Sequence, residues 1–200
     1  MDIFLDTIDQ KLKKLSFKHR VLFTLLTCEK LLPNYTVFSE REQWGNAKLL
    51  EDSVLNLFQY LQDFNLSKSQ LKSIYKEIEL ITPDTEDFES GLTSYALDTC
   101  VAILETIEHL LDQNIENALN VASCARDTVD MFIYELENLD SEDKQLEEKI
   151  AENEYMVREA RRQDIILNKL LNEEFKLQLI TSTRELNNKS EAVINLSLIY

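Results

Sequence analysis

Apolar residues recur along most of this chain at intervals of three and four positions, the spacing that places side chains on one face of an α-helix. The pattern predicts a first helix over residues 2–15 and a second over residues 17–32. Apolar residues cover more than half of the second helix, so we expect it to lie at the centre of the core. Pro33 is expected to end it, because proline disfavours the α conformation in the residue before it. Residues 34–45 would then form a loop or a short helical turn.

Four more helices are predicted over residues 46–63, 67–81, 93–113 and 114–138. Asn46 and Asn114 are suitable N-cap residues, and Ser67 with Gln70 three positions later has the capping-box pattern. Phe88, in the acidic connector before the fifth helix, is expected to pack onto the core. The fifth helix is predicted to be two-faced, with one polar side that carries Asp98, Ala102, Glu105, His109 and Asp112.

The last third of the chain has a different pattern. Charged residues dominate the beginning of residues 141–187, and apolar residues become denser towards its end. We interpret this segment as one long charged helix or a pair of helices with a kink, its first part on the surface. Residues 188–200 show a period of two and are predicted to lie extended across the helices. The core helices would lie within residues 1–140, and residues 1–200 would form a single domain.

Composition strengthens the helical interpretation. The chain has two glycines and two prolines in 200 residues, whereas average usage of about 7% and 5% would give roughly 14 and 10. Tight β-hairpins and left-handed turns need glycine, so a chain this poor in glycine is not rich in hairpins. The predicted fold class is therefore all-α: a single-domain antiparallel bundle of about seven helices.

The charge of the chain disfavours two classes of partner. The formal net charge is −16, with 37 acidic and 21 basic residues. Binding to nucleic acid through phosphate neutralisation and binding to an anionic membrane surface are both disfavoured. A basic protein is the partner that this charge favours, although an acidic surface also serves solubility alone.

Cysteine usage and the N-terminus indicate the compartment. The three cysteines, Cys28, Cys100 and Cys124, each fall within an apolar helical pattern and are predicted to be buried thiols of a reducing compartment. The first ten residues lack the basic region of a signal peptide, and no apolar run reaches 18 residues. We therefore expect a cytoplasmic protein.

Glu29 is the most unusual single residue, because it falls inside the apolar sector of the second helix. A carboxylate in that position must be paired or protonated, since an isolated buried charge is prohibitive. The expected partners lie in the segment that follows: Asn34, Tyr35, Arg41 and Trp44. We interpret Glu29 as an anchor for that segment, and an acid that lines a pocket is the alternative.

Asp98, Glu105 and His109 share one face of the fifth helix, where such a trio could ligate a metal ion. A polar outer face produces the same pattern, and Glu105 with His109 is an ordinary stabilising pair. With two histidines in the chain and no Glu-x-x-His motif, zinc and di-iron sites are poorly supported. Neither a metal nor a cofactor is expected.

Three stretches carry a family resemblance: CEKLLPNYTVFSEREQWGN from residue 28, TPDTEDF from residue 82 and YALDTCVAILE from residue 95. In these stretches the chain resembles the YjaG-like family of small bacterial proteins, a domain of unknown function. The resemblance covers residues 1–140 closely and the last third loosely. It implies an all-helical cytosolic bacterial protein and transfers no catalytic residue. It also groups Glu29 and its neighbours with Asp98 and Glu105 as a shared patch.

Three hypotheses of function follow. The first is a non-enzymatic protein-binding module with an acidic surface, one version being an inhibitor or immunity-type protein that covers a basic partner. It is favoured because phosphate loops, nucleophile elbows and Cys-x-x-Cys motifs are missing from the sequence. The second is a small-molecule or metal-dependent enzyme that uses Glu29 or the Asp98/Glu105 face. The third is a structural homo-oligomer, a homodimer for example, formed through the C-terminal helix or tail.

Overall fold

The computed structural model describes residues 3–63 and 66–200, and the regular elements in these ranges are all helices. The predicted all-α class is confirmed, with nine α-helices in the described ranges instead of about seven. They are α1 (Ile3–Leu12), α2 (Phe17–Glu42), α3 (Ala47–Asp63), α4 (Lys68–Glu79), α5 (Leu92–Asp112), α6 (Ile115–Leu136), α7 (Leu146–Glu152), α8 (Glu154–Asn172) and α9 (Leu177–Lys189). Residue 2, where the first helix was predicted to begin, lies outside the described residues.

The predicted helix starts at Asn46, Ser67 and Asn114 are confirmed by side-chain caps. The Asn46 side chain accepts a hydrogen bond from the Leu49 amide at 3.0 Å, and the Asn114 side chain accepts one from the Glu116 amide at 3.2 Å. Ser67 begins α4 with the complete capping box that its spacing predicts. Each cap satisfies amides that have no partner within the helix, which fixes the first residue of the element.

The prediction that Pro33 ends the second helix is wrong. α2 continues through Pro33 to Glu42, and the proline side chain is exposed. A proline inside a helix costs about 3 kcal/mol. Beyond it, Tyr35 and Phe38 are both fully buried, and burying such side chains contributes about 1.5–3 kcal/mol each. The packing of these residues outweighs the cost of the proline, so the predicted loop over residues 34–45 is mostly helix.

The core is built around α2, as its wide apolar face predicts. α2 makes its most extensive contact with α5, and α6 packs on α5 and on α2. α5 is therefore covered on two sides, and its predicted two-faced character is wrong. Ala102 and His109, placed on the polar side by the sequence pattern, are fully buried, and Asp98 and Glu105 are half-buried.

The three cysteines lie in this core. Cys28, Cys100 and Cys124 are buried free thiols, as predicted. Burial raises the pKa of Cys28 and of Cys100 to about 12 and raises the pKa of Cys124 as well. The thiolate, which is the reactive form, is therefore suppressed in all three.

The C-terminal third contains three helices instead of one long helix or a kinked pair. The first residues of the predicted helical segment 141–187 form turns, and α7 begins only at Leu146. α8 packs on α1 and α6, and α9 packs on α2 and α8. In the tail, Val193, Ile194 and Leu196 are buried, and residues Leu196–Leu198 form a 3₁₀ turn, so the tail covers the helices but is not extended throughout. Within the described ranges, a helix with the length and apolarity needed to cross a membrane is not found.

Candidate functional site

Glu29 has a partner, but not one of those predicted. Its Oε1 atom accepts hydrogen bonds from Arg184 of α9, at 2.5 Å from Nη2 and 3.1 Å from Nε. The guanidinium carbon of Arg184 also lies 4.2 Å from the centroid of the Phe58 ring, a cation–π contact. Glu29 therefore joins α2 to α9 through an ion pair, whereas the expected bonds to the following segment are not formed.

Asn34 and Tyr35 lie further along α2 and Trp44 just after it, and Tyr35 and Trp44 contact the connector between α4 and α5. The Tyr35 hydroxyl donates to the Ile81 carbonyl at 2.7 Å. Trp44 and Phe88 make a T-shaped contact with ring centroids 5.3 Å apart, which confirms that Phe88 packs on the core. Asn34 is buried, and its amide nitrogen has no hydrogen-bond partner among the described residues. These contacts stabilise the connector.

Gly45 is required by this arrangement. Its φ angle is +78°, a region that other residues rarely adopt. A Cβ atom at this position would lie 2.1 Å from the Tyr35 hydroxyl oxygen. Glycine therefore allows the backbone to turn after α2 and also to approach Tyr35 closely.

Asp98 and Glu105 both face α6. Thr128 donates a hydrogen bond to Asp98 at 2.9 Å, and Asn120 donates one to Glu105 at 3.2 Å. Burial raises the pKa of Asp98 to about 7, and the Thr128 bond opposes part of that rise. Burial also raises the pKa of Glu105, in a more exposed position. These acids belong to the seam between α5 and α6.

His109 does not form the predicted pair with Glu105. Its Nδ1 atom lies 2.6 Å from the Asn114 carbonyl oxygen, and burial lowers its pKa. The predicted patch is therefore divided: Glu29 contacts α9, Tyr35 and Trp44 contact the connector, Asn34 is buried, and Asp98 and Glu105 face α6. Across the described ranges, groups of three or more His, Cys, Asp or Glu side chains suited to a metal ion are not present.

A buried ionic cluster joins α8 to α9 and α2, and it was not predicted. Glu159 and Arg162 are 2% and 7% exposed. The Glu159 carboxylate accepts from Arg162 Nε at 2.7 Å, from Arg162 Nη2 at 2.6 Å and from Gln163 at 2.8 Å. Asn187 of α9 accepts from Arg162 Nη1 at 3.1 Å and donates to the Leu26 carbonyl at 2.9 Å. We call these side chains, Glu159, Arg162, Gln163 and Asn187, the ionic cluster.

A signal for part of this cluster exists in the sequence. Met156, Glu159, Gln163, Ile166 and Leu170 follow one another at successive intervals of three, four, three and four residues. They therefore lie on the apolar stripe of α8, where a polar residue must find a partner. The partner from α9 carries no such signal, because it is distant in sequence.

The turns before α7 and α7 itself carry many exposed acids. Glu147, Glu148 and Glu152 are exposed, and none of them forms an ion pair with another described residue. Lys149 is the exception to the acidic character of α7, and its ammonium is bound to Asp143 at 2.7 Å. The side chains therefore leave several carboxylates available to an external cation.

An open groove lies beside these acids. Its volume is about 400 Å³, and it is lined by Leu139 and the buried Ile133, by Glu137, Glu152 and Asn153, and by Lys149, whose ammonium is held by Asp143. We call this groove and the exposed acids of α7 the α7 face. It combines apolar side chains with carboxylates, which is the composition that complements the stem and the head of a lysine or an arginine.

Comparison with known proteins identifies relatives over most of the chain. Residues 7–197 match the model of a family described as a protein of unknown function, DUF416, so the match includes the last third where the resemblance is loose. An uncharacterised Escherichia coli protein, YjaG, is 26% identical over 145 residues, which are 72% of this chain and 74% of that protein. An uncharacterised Haemophilus influenzae protein is 23% identical and covers 88% of this chain and 94% of its own length.

A solved structure shares the fold. It is a crystal structure of a DUF416 family protein from Shewanella baltica OS155, with 25% sequence identity and a TM-score of 0.83. The similarity covers 94% of each chain. The architecture described above is therefore shared along nearly the whole length of that protein.

Proposed function

This chain belongs to DUF416, a family of unknown function, and on that premise we propose that it is a non-enzymatic protein-binding module whose acidic surface binds a basic protein. The observation that carries this proposal is the α7 face, where an open groove of mixed apolar and polar lining is bordered by carboxylates that form no ion pair with another described residue. The net charge of −16 supports it, because the field of the whole chain attracts a cationic partner. The buried thiols are consistent with action in a reducing compartment such as the cytoplasm.

The occupant of the groove in this proposal is a lysine or arginine side chain of the partner. Its aliphatic stem would pack on the half-buried Leu139, and its cationic head would pair with Glu137 or Glu152. Charges at the rim of an interface mainly accelerate association and set specificity. An acidic face of this kind suits an inhibitor or immunity-type protein that covers a basic surface.

The test is a capture experiment with a charge-neutralised variant. The tagged full chain is incubated with an extract of the source organism at low salt and at roughly 0.3 M salt. At roughly 0.3 M salt the Debye length is about half its value at roughly 0.1 M. The variant replaces four acids of the α7 face by glutamine: Glu137, Glu147, Glu148 and Glu152. We expect a basic protein that the natural chain retains at low salt, releases at high salt, and that the variant does not retain.

The matched control removes the same four charges from exposed acids elsewhere, by glutamine at Glu40, Glu77, Glu86 and Glu89. We expect the control to retain the partner at low salt. Capture that is insensitive to salt, or that is lost equally in the variant and the control, would show that the α7 face is not the binding surface.

A further inference from the structure

Three arginines stand out in this acidic chain because they line one pocket between α8 and α9. The pocket has a volume of about 180 Å³ and is lined by Arg158, Arg161 and Arg162, with Ile165, Ile166 and Leu186 among the other residues. Its wall consists almost entirely of apolar atoms. The arginines thus contribute their carbon stems to the wall, as long cationic side chains do when their heads turn to a polar partner or to water.

Two of the three arginine heads have structural roles. Arg162 is held by Glu159 within the ionic cluster. Arg158 forms an ion pair with Glu191 and donates to the carbonyls of Ala192 and Val193, just beyond α9. A cation is favourable at the C-terminal end of a helix, where carbonyls lack partners. These two arginines are therefore explained by the fold.

Arg161 is not explained in this way. It is exposed and forms no hydrogen bond or ion pair with another described residue. Asp164, one turn further along α8, is paired with Lys11 of α1 instead. Arg161 lines the apolar pocket, and its guanidinium has no partner among the described residues, so it offers a charged, fork-shaped donor next to an apolar surface.

The surroundings reinforce the positive character of this pocket. Lys30 of α2 donates to the carbonyl of Ser190, a residue of the pocket lining, at 2.7 Å. Burial lowers the pKa of Lys30, and the nearby Arg162 lowers it further while Glu159 opposes that effect. Lys30 and Arg161 are thus two cations near the pocket, and neither forms an ion pair with a carboxylate in the described part of the chain.

We propose that the pocket between α8 and α9 binds a small monocarboxylate with one aromatic ring or a short alkyl chain. The apolar body would occupy the pocket and the carboxylate would pair with the Arg161 guanidinium. The size is suitable, because an engineered apolar cavity of about 150 Å³ in another protein holds one benzene molecule. Arg161 supplies the charge that selects an acid over a neutral molecule of the same shape.

Nuclear magnetic resonance titration of the full chain with three probes tests this site. Benzoate has both the ring and the charge, benzamide has the ring alone, and inorganic phosphate has the charge alone. We expect saturable shifts from benzoate that are confined to amides of α8 and α9. Benzamide and phosphate should each bind at least several times more weakly.

Two variants separate the charge from the pocket. Arg161→Gln should weaken benzoate about tenfold, the loss typical of one hydrogen-bonded charge, and should leave benzamide unchanged. Ile165→Trp, at a lining position that is 44% exposed, should abolish binding of both by filling the pocket. Lys72→Gln, at an exposed lysine of α4 that is distant in sequence from Arg161, is the control for a lost positive charge. It should change the affinity for neither benzoate nor benzamide.

Three results would overturn the proposal. The first is a benzoate titration that does not saturate, or whose shifts spread over the whole chain. The second is an Arg161→Gln variant with the natural affinity for benzoate. The third is benzamide binding as tightly as benzoate. The melting temperature of each variant is measured beside the natural chain, so that a folding defect is not taken for lost binding.

Discussion

The ion pair between Glu159 and Arg162 allows a sharp test of how the C-terminal helices are held. The proposed change is Glu159→Gln, which keeps the shape of the side chain and removes its charge. Arg162 donates to this carboxylate through both Nε and Nη2, and both residues are less than a tenth exposed. The variant leaves a buried guanidinium without a balancing charge, with one acceptor oxygen at position 159 in place of two and with its bond to Asn187.

The expected loss follows from that burial. Removing one partner of a buried ion pair costs about 3–5 kcal/mol, because the other charge stays uncompensated. A chain of this length shifts its melting temperature by roughly 2–4 °C for each kcal/mol. The melting temperature should therefore fall by about 6–20 °C.

The double variant Glu159→Met with Arg162→Met should lose much less stability, because both charges leave together. Replacing a buried ion pair by apolar side chains of similar size is often neutral. We expect a loss of about 1–2 kcal/mol, since Gln163 and Asn187 each lose one hydrogen-bond partner.

Urea unfolding followed by far-ultraviolet circular dichroism measures each free energy of unfolding, and thermal melting provides a second reading. The matched control is Asp52→Asn, which breaks the exposed pair with Lys48 and should change stability by less than about 1 kcal/mol. A Glu159→Gln variant within 1 kcal/mol of the natural chain, or a double variant less stable than Glu159→Gln, would refute the reasoning.

Three further predictions rest on single contacts. Glu29→Ala should lower the free energy of unfolding by roughly 1–3 kcal/mol, because it unpairs Arg184; an unchanged melting temperature would contradict this. Gly45→Ala should cost about 1–3 kcal/mol in urea unfolding, from backbone strain at positive φ, and no measurable loss would show that the turn relaxes. The folded chain protonates Asp98 with a pKa of about 7 against an ordinary 3.8, so the free energy of unfolding should fall as the pH rises from about 4 to 7. Asp98→Asn should flatten that fall and be more stable at pH 8 by up to about 4 kcal/mol, 1.36 kcal/mol for each of roughly three pKa units. Equal dependence of the unfolding free energy on pH in the variant and the natural chain would contradict this.

Local signals predict the all-α class and the starts of the helices capped by Asn46, Ser67 and Asn114 correctly. The cap at Asn46 is recognised from the residue type alone, and the cap at Ser67 from the serine and the glutamine three positions later. Neither requires information about distant residues. Pro33 shows the limit of local rules. Its effect on the backbone is opposed by the burial of Tyr35 and Phe38, whose neighbours in the core are invisible to a local pattern.

The candidate site depends even more on distant contacts. The position of Glu29 within an apolar face shows that a partner is needed, but it does not identify Arg184, which lies 155 residues later. The sequence pattern places His109 on the polar side of α5, because the apolar residues recur at helical spacing on the opposite side. In the structure His109 is buried, because a second helix packs on that side of α5. Helical periodicity reveals one buried face and does not show that the opposite face is covered as well.

Because α9 pairs with α2, the fold is completed only after nearly the whole chain has been synthesised. The bonds from Arg184 to Glu29 and from Asn187 to Leu26 span 155 and 161 residues. At about 5–20 residues per second, the ribosome makes α2 roughly 8–30 s before these partners exist. Contacts of such separation close late, because the loop between them must be ordered first. The flank of α2 that α9 covers is thus open to chaperones and proteases throughout most of translation, and we expect ribosome-bound chains that lack α9 to be cleaved faster than complete ones.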